Sequence, residues 1–388
     1  MKKEVKTLDK VYCFFSARYL PCLGGVERYT YNLAKELTQK GNKVIIVTSL
    51  IGNELEYEER DEAIVYRLPS INLMGGRFPI TIIGKKYKSI KNALKHANID
   101  YIIVNTRFYF LSYLGAAFSK KNEIPAIVIE HGTGHFTVNN SIIDFFGRIY
   151  EHFISNLVKR NADNFYGVSE ACVDWLQHFG INGKGTLFNA IDINMIGALH
   201  NKSNIALEKR VSYSSDDYII TYTGRLIKEK GILKLIEAFR KVKSKYPQVK
   251  LCIAGDGDLY DSITDEEGIY KLGRLSFEDV IGLLQLSKIY CLPTDYPEGL
   301  PTSVLEAIAC KCYVITSEMG GAKEVISDAS YGVILKENSI DGIEEAIVKA
   351  IDNPQMCEKA VIKAYDKVCS NYTWSKTADT LMNVFEGI

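Results

Sequence analysis

The chain has 388 residues, 47% hydrophobic and 24% charged, which is enough for two domains with full cores. Lys plus Arg and Asp plus Glu both number 47, so no global charge points to nucleic acid. The N-terminus MKKEVKTLDK lacks an apolar signal segment and no run approaches a membrane span; nine cysteines without a CxxC pair read as reduced, buried residues of a cytosolic protein.

Short apolar runs alternate with helical patterns along the chain. Strands are predicted at Val11–Ser16, Lys43–Ser49, Ala63–Leu68, Tyr101–Asn105, Ala126–Glu130 and Asn164–Gly167. Helices are predicted between them at Val26–Lys40, Gly84–Ala97, Tyr109–Lys121, Ser141–Asn161 and Glu170–Phe179. The polar stretch 189–215 breaks the rhythm and is the expected domain boundary. Beyond it come a strand Tyr218–Thr223, a helix Gly231–Tyr246, and strands Lys250–Ala254, Ile289–Pro293 and Cys312–Thr316. Such alternation implies parallel sheets covered by helices on both faces, with ligands at the carboxyl ends of strands. Two facing domains of this kind would hold a site in the cleft between them.

Several motifs fall at those strand ends. Gly24-Gly25 follows the first strand and opens a helix, where it is either a tight turn or a place for backbone amides to approach a ligand. Within 75–121, nine basic residues stand against one acidic residue, Asp100. That segment is either a solvated helix face or a surface for anionic lipid headgroups. Its run Arg77–Lys95 mixes cations with Ile80, Ile82, Ile83, Tyr87, Ile90 and Leu94, an apolar side and a positive side. His131 ends the strand Ala126–Glu130. It pairs poorly with His135 as a metal site, since two glycines separate them and no third ligand is evident.

In the second half, Arg225 and Lys230 lie on the turn after Tyr218–Thr223, two cations suited to a diphosphate. Ala254-Gly255 closes the next strand with a glycine turn. Leu272, in Lys271-Leu272-Gly273, sits at an edge whose backbone suits a flat base. The segment Tyr296–Ile308, YPEGLPTSVLEAI, sets Glu298 and Glu306 eight positions apart. Pro301 suits a first helical turn, whose free amides attract phosphate. Glu298 would then precede the helix and Glu306 lie inside it, two acceptors flanking an anion pocket. The bland alternative is a loop residue and a surface charge.

Taken in order, GGVERY at Gly24, HG at His131, GVSE at Gly167, FNAID at Phe188, GRLIKEKG at Gly224, AGDGD at Ala254, LGR at Leu272 and EGLPTSVLEA at Glu298 resemble glycosyltransferase family 4. The resemblance implies an α/β GT-B fold of two Rossmann-like domains. It implies an acceptor domain over 1–200, a donor domain over 201–370, and a C-terminal helix at 371–388 crossing back to the first. It implies a retaining hexosyltransferase using a nucleotide-sugar, with UDP the commoner nucleotide and GDP next. The acceptor implied is a lipid-linked saccharide in surface-polysaccharide assembly, O-antigen or capsule, with the enzyme cytoplasmic and peripheral on the inner membrane face. His131, Arg225, Lys230 and Glu298 carry catalysis in that resemblance. Gly24, Gly25, Gly255, Leu272, Gly299, Leu300, Thr302 and Glu306, with Arg225, Lys230 and Glu298, hold the donor. No cofactor or metal is expected. Pro301 and Thr302 depart from the family's usual glycine-rich pattern there. A sugar-nucleotide epimerase and a non-catalytic nucleotide-binding subunit are the alternatives.

Overall fold

The structure, a computed structural model, describes residues 9–22, 24–138, 140–199, 210–211, 214, 217–264 and 266–388. Much of the predicted polar break, including 200–209, lies outside the described residues. The chain divides into two compact units. One runs to Asn189 and takes back Trp374–Ile388; the other is Ala190–Thr373.

The first unit is built on a sheet of β1 (Val11–Ser16), β2 (Lys43–Leu50), β3 (Tyr57–Glu59), β4 (Ile64–Leu73), β5 (Phe78–Thr81), β6 (Tyr101–Asn105), β7 (Ala126–Glu130) and β8 (Phe165–Gly167). Its order is β3-β4-β2-β1-β6-β7-β8, with β5 on β4. The central strands are parallel, with Phe14 opposite Ile46 on one side and Ile103 on the other. These strands are buried on both faces, which is why they read as continuous apolar runs. Among the described residues of this unit, only β3 and β5 pair antiparallel, both against β4. Neither was legible in the sequence. Tyr57–Glu59 is charged, and Pro79 in β5 is tolerated because that strand has one neighbour.

The helices of this unit are α1 (Gly25–Gln39), α2 (Lys85–Lys95), α3 (Phe110–Asn122), α4 (Ser141–Lys159) and α5 (Glu170–Leu176). Asn140 caps α4 by accepting from the amides of Ile142 and Ile143, and Ser169 caps α5 by accepting from that of Cys172. The basic run departs from its amphipathic reading. Phe78–Thr81 is a strand, and α2 buries Ile90 and Leu94 in the core. Burying each is worth about 1.5–3 kcal/mol, against roughly 1 kcal/mol per lysine at an anionic surface, so the apolar side turns inward. Outside, α2 leaves Lys85, Lys86, Lys88 and Lys95 with Ser89, Asn92 and Ala93, and Lys86 is paired with Glu56.

The second unit's sheet is wholly parallel: β9 (Tyr218–Thr223), β10 (Val249–Ala254), β11 (Ile269–Gly273), β12 (Ile289–Leu292), β13 (Tyr313–Ser317) and β14 (Val333–Leu335). Its order, β11-β10-β9-β12-β13-β14, reverses between β9 and β12. The first sheet reverses likewise between β1 and β6. Both are doubly wound sheets with a topological switch point.

The units divide about ten residues before the expected 200. The reason is α6 (Ile193–Leu199), which buries Ile196 and Leu199 and packs on the helices Phe277–Leu286 and Thr302–Ala309. The last helix, Trp374–Glu386, packs on α1. Thr377 donates to the Phe188 carbonyl at 2.9 Å, and Phe385 stacks on Tyr101 at 4.4 Å. All nine cysteines are free, and Cys13, Cys172, Cys252, Cys291, Cys312 and Cys357 are buried.

Candidate active site

The second unit gathers charge at its switch point. The strand β9 ends at Thr223, and the loop Gly224–Gly231 leads into the helix Ile232–Lys245. The strand β12 ends at Leu292, and its loop leads into the helix Thr302–Ala309. The two loops are joined backbone to backbone, with the Asp295 amide on the Glu229 carbonyl at 2.7 Å. Across them Lys230 and Glu298 form an ion pair, mostly shielded from solvent. The Arg225 guanidinium lies over the Tyr296 ring at 4.8 Å, and the Lys230 ammonium lies 5.2 Å from the same ring. Tyr296 thus holds both cations on one side of the loop pair. Sequence reasoning passed over it, although it stands two residues before Glu298.

Two glycines explain how closely these loops approach. A Cβ on Gly255 would sit 1.8 Å from the Gly224 carbonyl oxygen, and its φ of +150° is open to glycine. Gly255 therefore lets the turn after β10 lie against the Arg225 loop. Gly320, in the loop after β13, has a φ of +56°. A Cβ there would strike the Glu298 and Gly299 carbonyls at 2.3 and 2.4 Å. Beside it, the Gly321 amide donates to the Gly299 carbonyl at 2.7 Å. Nothing in the sequence marked this support under Glu298.

The helix Thr302–Ala309 starts one residue later than a first-turn proline would have it. Pro301 is its N-cap, and the amides of Thr302 and Ser303 open the first turn. Glu306 is 7% exposed, which removes its reading as a helix-surface charge. The Tyr290 hydroxyl lies 3.3 Å from the Thr223 hydroxyl. Burial pushes that phenol well above its usual range, and the Glu306 and Glu298 carboxylates add to the shift. Both glutamates are thus within electrostatic reach of one buried hydroxyl. Leu300 and Leu272 bury their side chains, so a ligand meets them only through backbone. The Leu272 carbonyl already accepts from Arg210.

The first unit's switch point holds a neutral hydrogen-bonded chain. His131 follows β7, and its Nε2 lies 3.0 Å from the Asn105 Oδ1 at the end of β6. Asn105 donates from Nδ2 to the Thr30 hydroxyl, which itself donates to the Val26 carbonyl. That chain leaves Oδ1 as the acceptor, so His131 carries its proton on Nε2 and offers Nδ1 as an acceptor. The ring packs edge-on against Tyr29 at 4.8 Å. Burial pushes the imidazole down to about 3, so it is uncharged at neutral pH. Asn105 and Thr30 were missed, for a polar residue at a strand end or inside a helix carries no sequence signature.

Gly24 is the N-cap of α1. A Cβ on it would meet the Glu27 carboxylate at 2.3 Å, whereas Gly25 faces open space. Arg18 pairs with Glu27 at 3.3 Å. An anion at this helix start meets a carboxylate already there, a feature the paired glycines did not announce. Nor do His131 and His135 act together: the Nδ1 of His135 lies 2.6 Å from Glu151 instead.

Two family profiles match consecutive parts of the chain: Glycosyltransferase Family 4 over residues 23–194, and Glycosyl transferases group 1 over residues 205–367. An uncharacterized glycosyltransferase of Methanocaldococcus jannaschii is 25% identical, covering 96% of this chain and 97% of its own. A GDP-mannose-dependent monoacylated alpha-(1-6)-phosphatidylinositol monomannoside mannosyltransferase of Corynebacterium glutamicum is 26% identical over 51% of this chain and 55% of its own. Among solved structures, Anabaena HepE in complex with UDP superposes with a TM-score of 0.76 at 18% identity, covering 98% of this chain and all of that one. Among the described residues, no helix is long and apolar enough to cross a membrane.

Proposed function

We propose how this chain, a glycosyltransferase of the family 4 type built on the GT-B fold, carries out transfer: it moves a sugar, with retention, from a nucleotide-sugar to a lipid-linked saccharide. The observation that carries the donor reading is the Lys230–Glu298 pair beside Arg225 at the β9/β12 switch point. Arg225, Lys230 and the amides after Pro301 take up the charge that the leaving diphosphate gains. Positive charge there does the work a metal does elsewhere, so the reading needs no Mg²⁺ or Mn²⁺ at the diphosphate. Glu298 bonds sugar hydroxyls and Glu306 the ribose. Gly255, Gly299, Leu300, Thr302 and Leu272 border the donor through backbone, and Gly24 and Gly25 its phosphates. His131, neutral, accepts from or donates to the sugar near the reacting carbon.

In this reading the bond from the anomeric carbon to the β-phosphate oxygen breaks. The acceptor hydroxyl bonds the same carbon on the same face, and its proton passes to the departing phosphate oxygen. The two family profiles favour a transferase over an epimerase, and the pairing of Lys230 with Glu298 argues against a subunit with a decayed site. UDP is the first nucleotide to test and GDP the second, as UDP sits in the Anabaena relative and GDP-mannose serves the Corynebacterium one.

The acceptor reading is supported by α4. Ile142, Phe145, Phe146, Ile149 and Phe153 stand 53–71% exposed along one stripe of it. Such a stripe fits the interfacial layer of a bilayer, with the lysines of α2 attracting anionic headgroups. This makes a peripheral protein on the cytoplasmic face, in surface-polysaccharide assembly such as O-antigen or capsule, the role to test.

The test is hydrolysis of a panel of UDP- and GDP-sugars in excess EDTA, with binding to anionic and neutral vesicles measured alongside. One donor should turn over without added Mg²⁺ or Mn²⁺. Replacing Phe145, Phe146, Ile149 and Phe153 by Ser should abolish vesicle binding and leave hydrolysis intact. No turnover of any donor, or turnover that only Mg²⁺ or Mn²⁺ restores, overturns the donor site. Equal vesicle binding by the quadruple variant overturns the lipid reading.

A further inference from the structure

Three of the chain's six histidines meet in the first unit. His135 comes from the loop after β7, His152 from α4, and His178 from the tight turn Gln177–Phe179 after α5. Their ring nitrogens that face one another all lie within 4.8 Å. The ring centroids are 5.7 Å apart for His135 and His152, and 5.1 Å apart for each of those with His178. Imidazoles on a tetrahedral ion at about 2.0–2.1 Å place their ring centres about 5.2 Å apart. The rings are thus at ligating spacing, and small side-chain rotations bring the nitrogens in.

The surroundings suit a cation. His135 sits with Nδ1 2.6 Å from the Glu151 Oε2, so its proton is held there and Nε2 keeps a lone pair. A carboxylate behind the imidazole is the usual outer partner of a metal-bound histidine. Glu151 is itself fixed: its Oε1 accepts from the Phe136 amide at 2.7 Å, and Arg107 reaches its Oε2. Arg107 also pairs with Glu130, so the buried charges beside the cluster sum to one negative. Trp175 lies flat on His178 at 4.8 Å, which sets that ring's plane. Packing alone does not explain the arrangement, because His152 and His178 are exposed to solvent.

We propose that His135, His152 and His178 bind one divalent transition-metal ion of the zinc class, apart from the groups proposed to hold the donor. Three imidazoles and no carboxylate oxygen among the ligands select zinc, copper or nickel over Mg²⁺ or Ca²⁺. The ion clips the loop that begins at His131 to α4 and to the turn at Gln177–Phe179. The fourth position faces solvent and takes water.

The test uses the full chain, stripped of metal and titrated with Zn²⁺ against a chromophoric chelator, and with Co²⁺ by visible absorption. One equivalent should bind with a Kd below ~1 µM, and Co²⁺ should give the strong absorption of a tetrahedral site. Losing an outer partner costs about 10–100-fold in affinity, so His152→Ala and His178→Ala should each cost ~100-fold or more. Both are surface changes, and circular dichroism checks their fold. His96→Ala, at the exposed end of α2, should bind like wild type. Micromolar or weaker uptake by wild type, or undiminished uptake by a folded His152→Ala/His178→Ala double variant, overturns the site.

Discussion

The two switch points share a strand order and differ in what they present. At β9/β12 the loops carry Arg225, Lys230 and Glu298, and the helix that follows carries Glu306. At β1/β6 the corresponding chain runs Thr30, Asn105, His131, every member neutral, with the paired trio Arg107, Glu130 and Glu151 nearby carrying one net negative charge. A group that must answer a diphosphate's negative charge has to be charged beforehand. A group that touches a sugar's hydroxyls needs a fixed hydrogen-bond direction instead. The same doubly wound scaffold supplies either, because its strand ends point several loops at one place without dictating their chemistry.

The comparison is broken most directly at the cations. Arg225→Ala or Lys230→Ala should lower turnover by ~100-fold or more, the size of a lost transition-state charge contact. Lys230→Ala also removes one partner of Glu298, so the fold of that variant is checked by thermal melting. A folded variant of either residue with wild-type turnover would end the assignment of charge chemistry to this unit.

The two carboxylates sharpen it. Glu298→Gln should reduce kcat by about tenfold or more with little change in nucleotide Kd, because its proposed partner is the sugar. Glu306→Gln should weaken free-nucleotide binding by about 1 kcal/mol or more and spare kcat at saturation, because its proposed partner is the ribose. Calorimetry with the free nucleotide and single-turnover kinetics separate them. Interchanged effects would swap the two roles.

The smallest effect tests neutrality at His131. Its folded value is depressed to about 3 by burial, so the unfolded chain binds the extra proton between its ordinary value and that one. Its contribution is therefore present above about pH 6.5 and is lost as pH falls toward 3. Over that window wild type should lose stability relative to His131→Gln by up to about 1.4 kcal/mol per pH unit. Urea melts of both proteins from pH 7 to pH 5 give the slope. Parallel curves would mean that His131 protonates freely in the folded protein.

The sequence by itself determined most of the frame. Its buried parallel strands are continuous apolar runs, and β1, β6, β7 and β9 begin and end where those runs do. Its donor-side residues lie on two short loops and the helix that follows one of them, so Arg225 with Lys230, and Glu298 with Glu306, were legible as local spacings. Short edge strands such as β3 and β5 were not, since their pairing lends stability that their own residues do not encode. The direction of α2 was decided by the core, which claimed Ile90 and Leu94 and left most of the lysines outside. Tertiary structure alone brought Gly320 under Glu298, Tyr296 against two cations, and Asn105 to His131. It alone joined His135, His152 and His178, which are 17 and 26 positions apart in the chain. A period or a motif records what neighbours along one element do. Groups that meet across loops from different strands leave no such period, because only the packed sheet sets the distance between them.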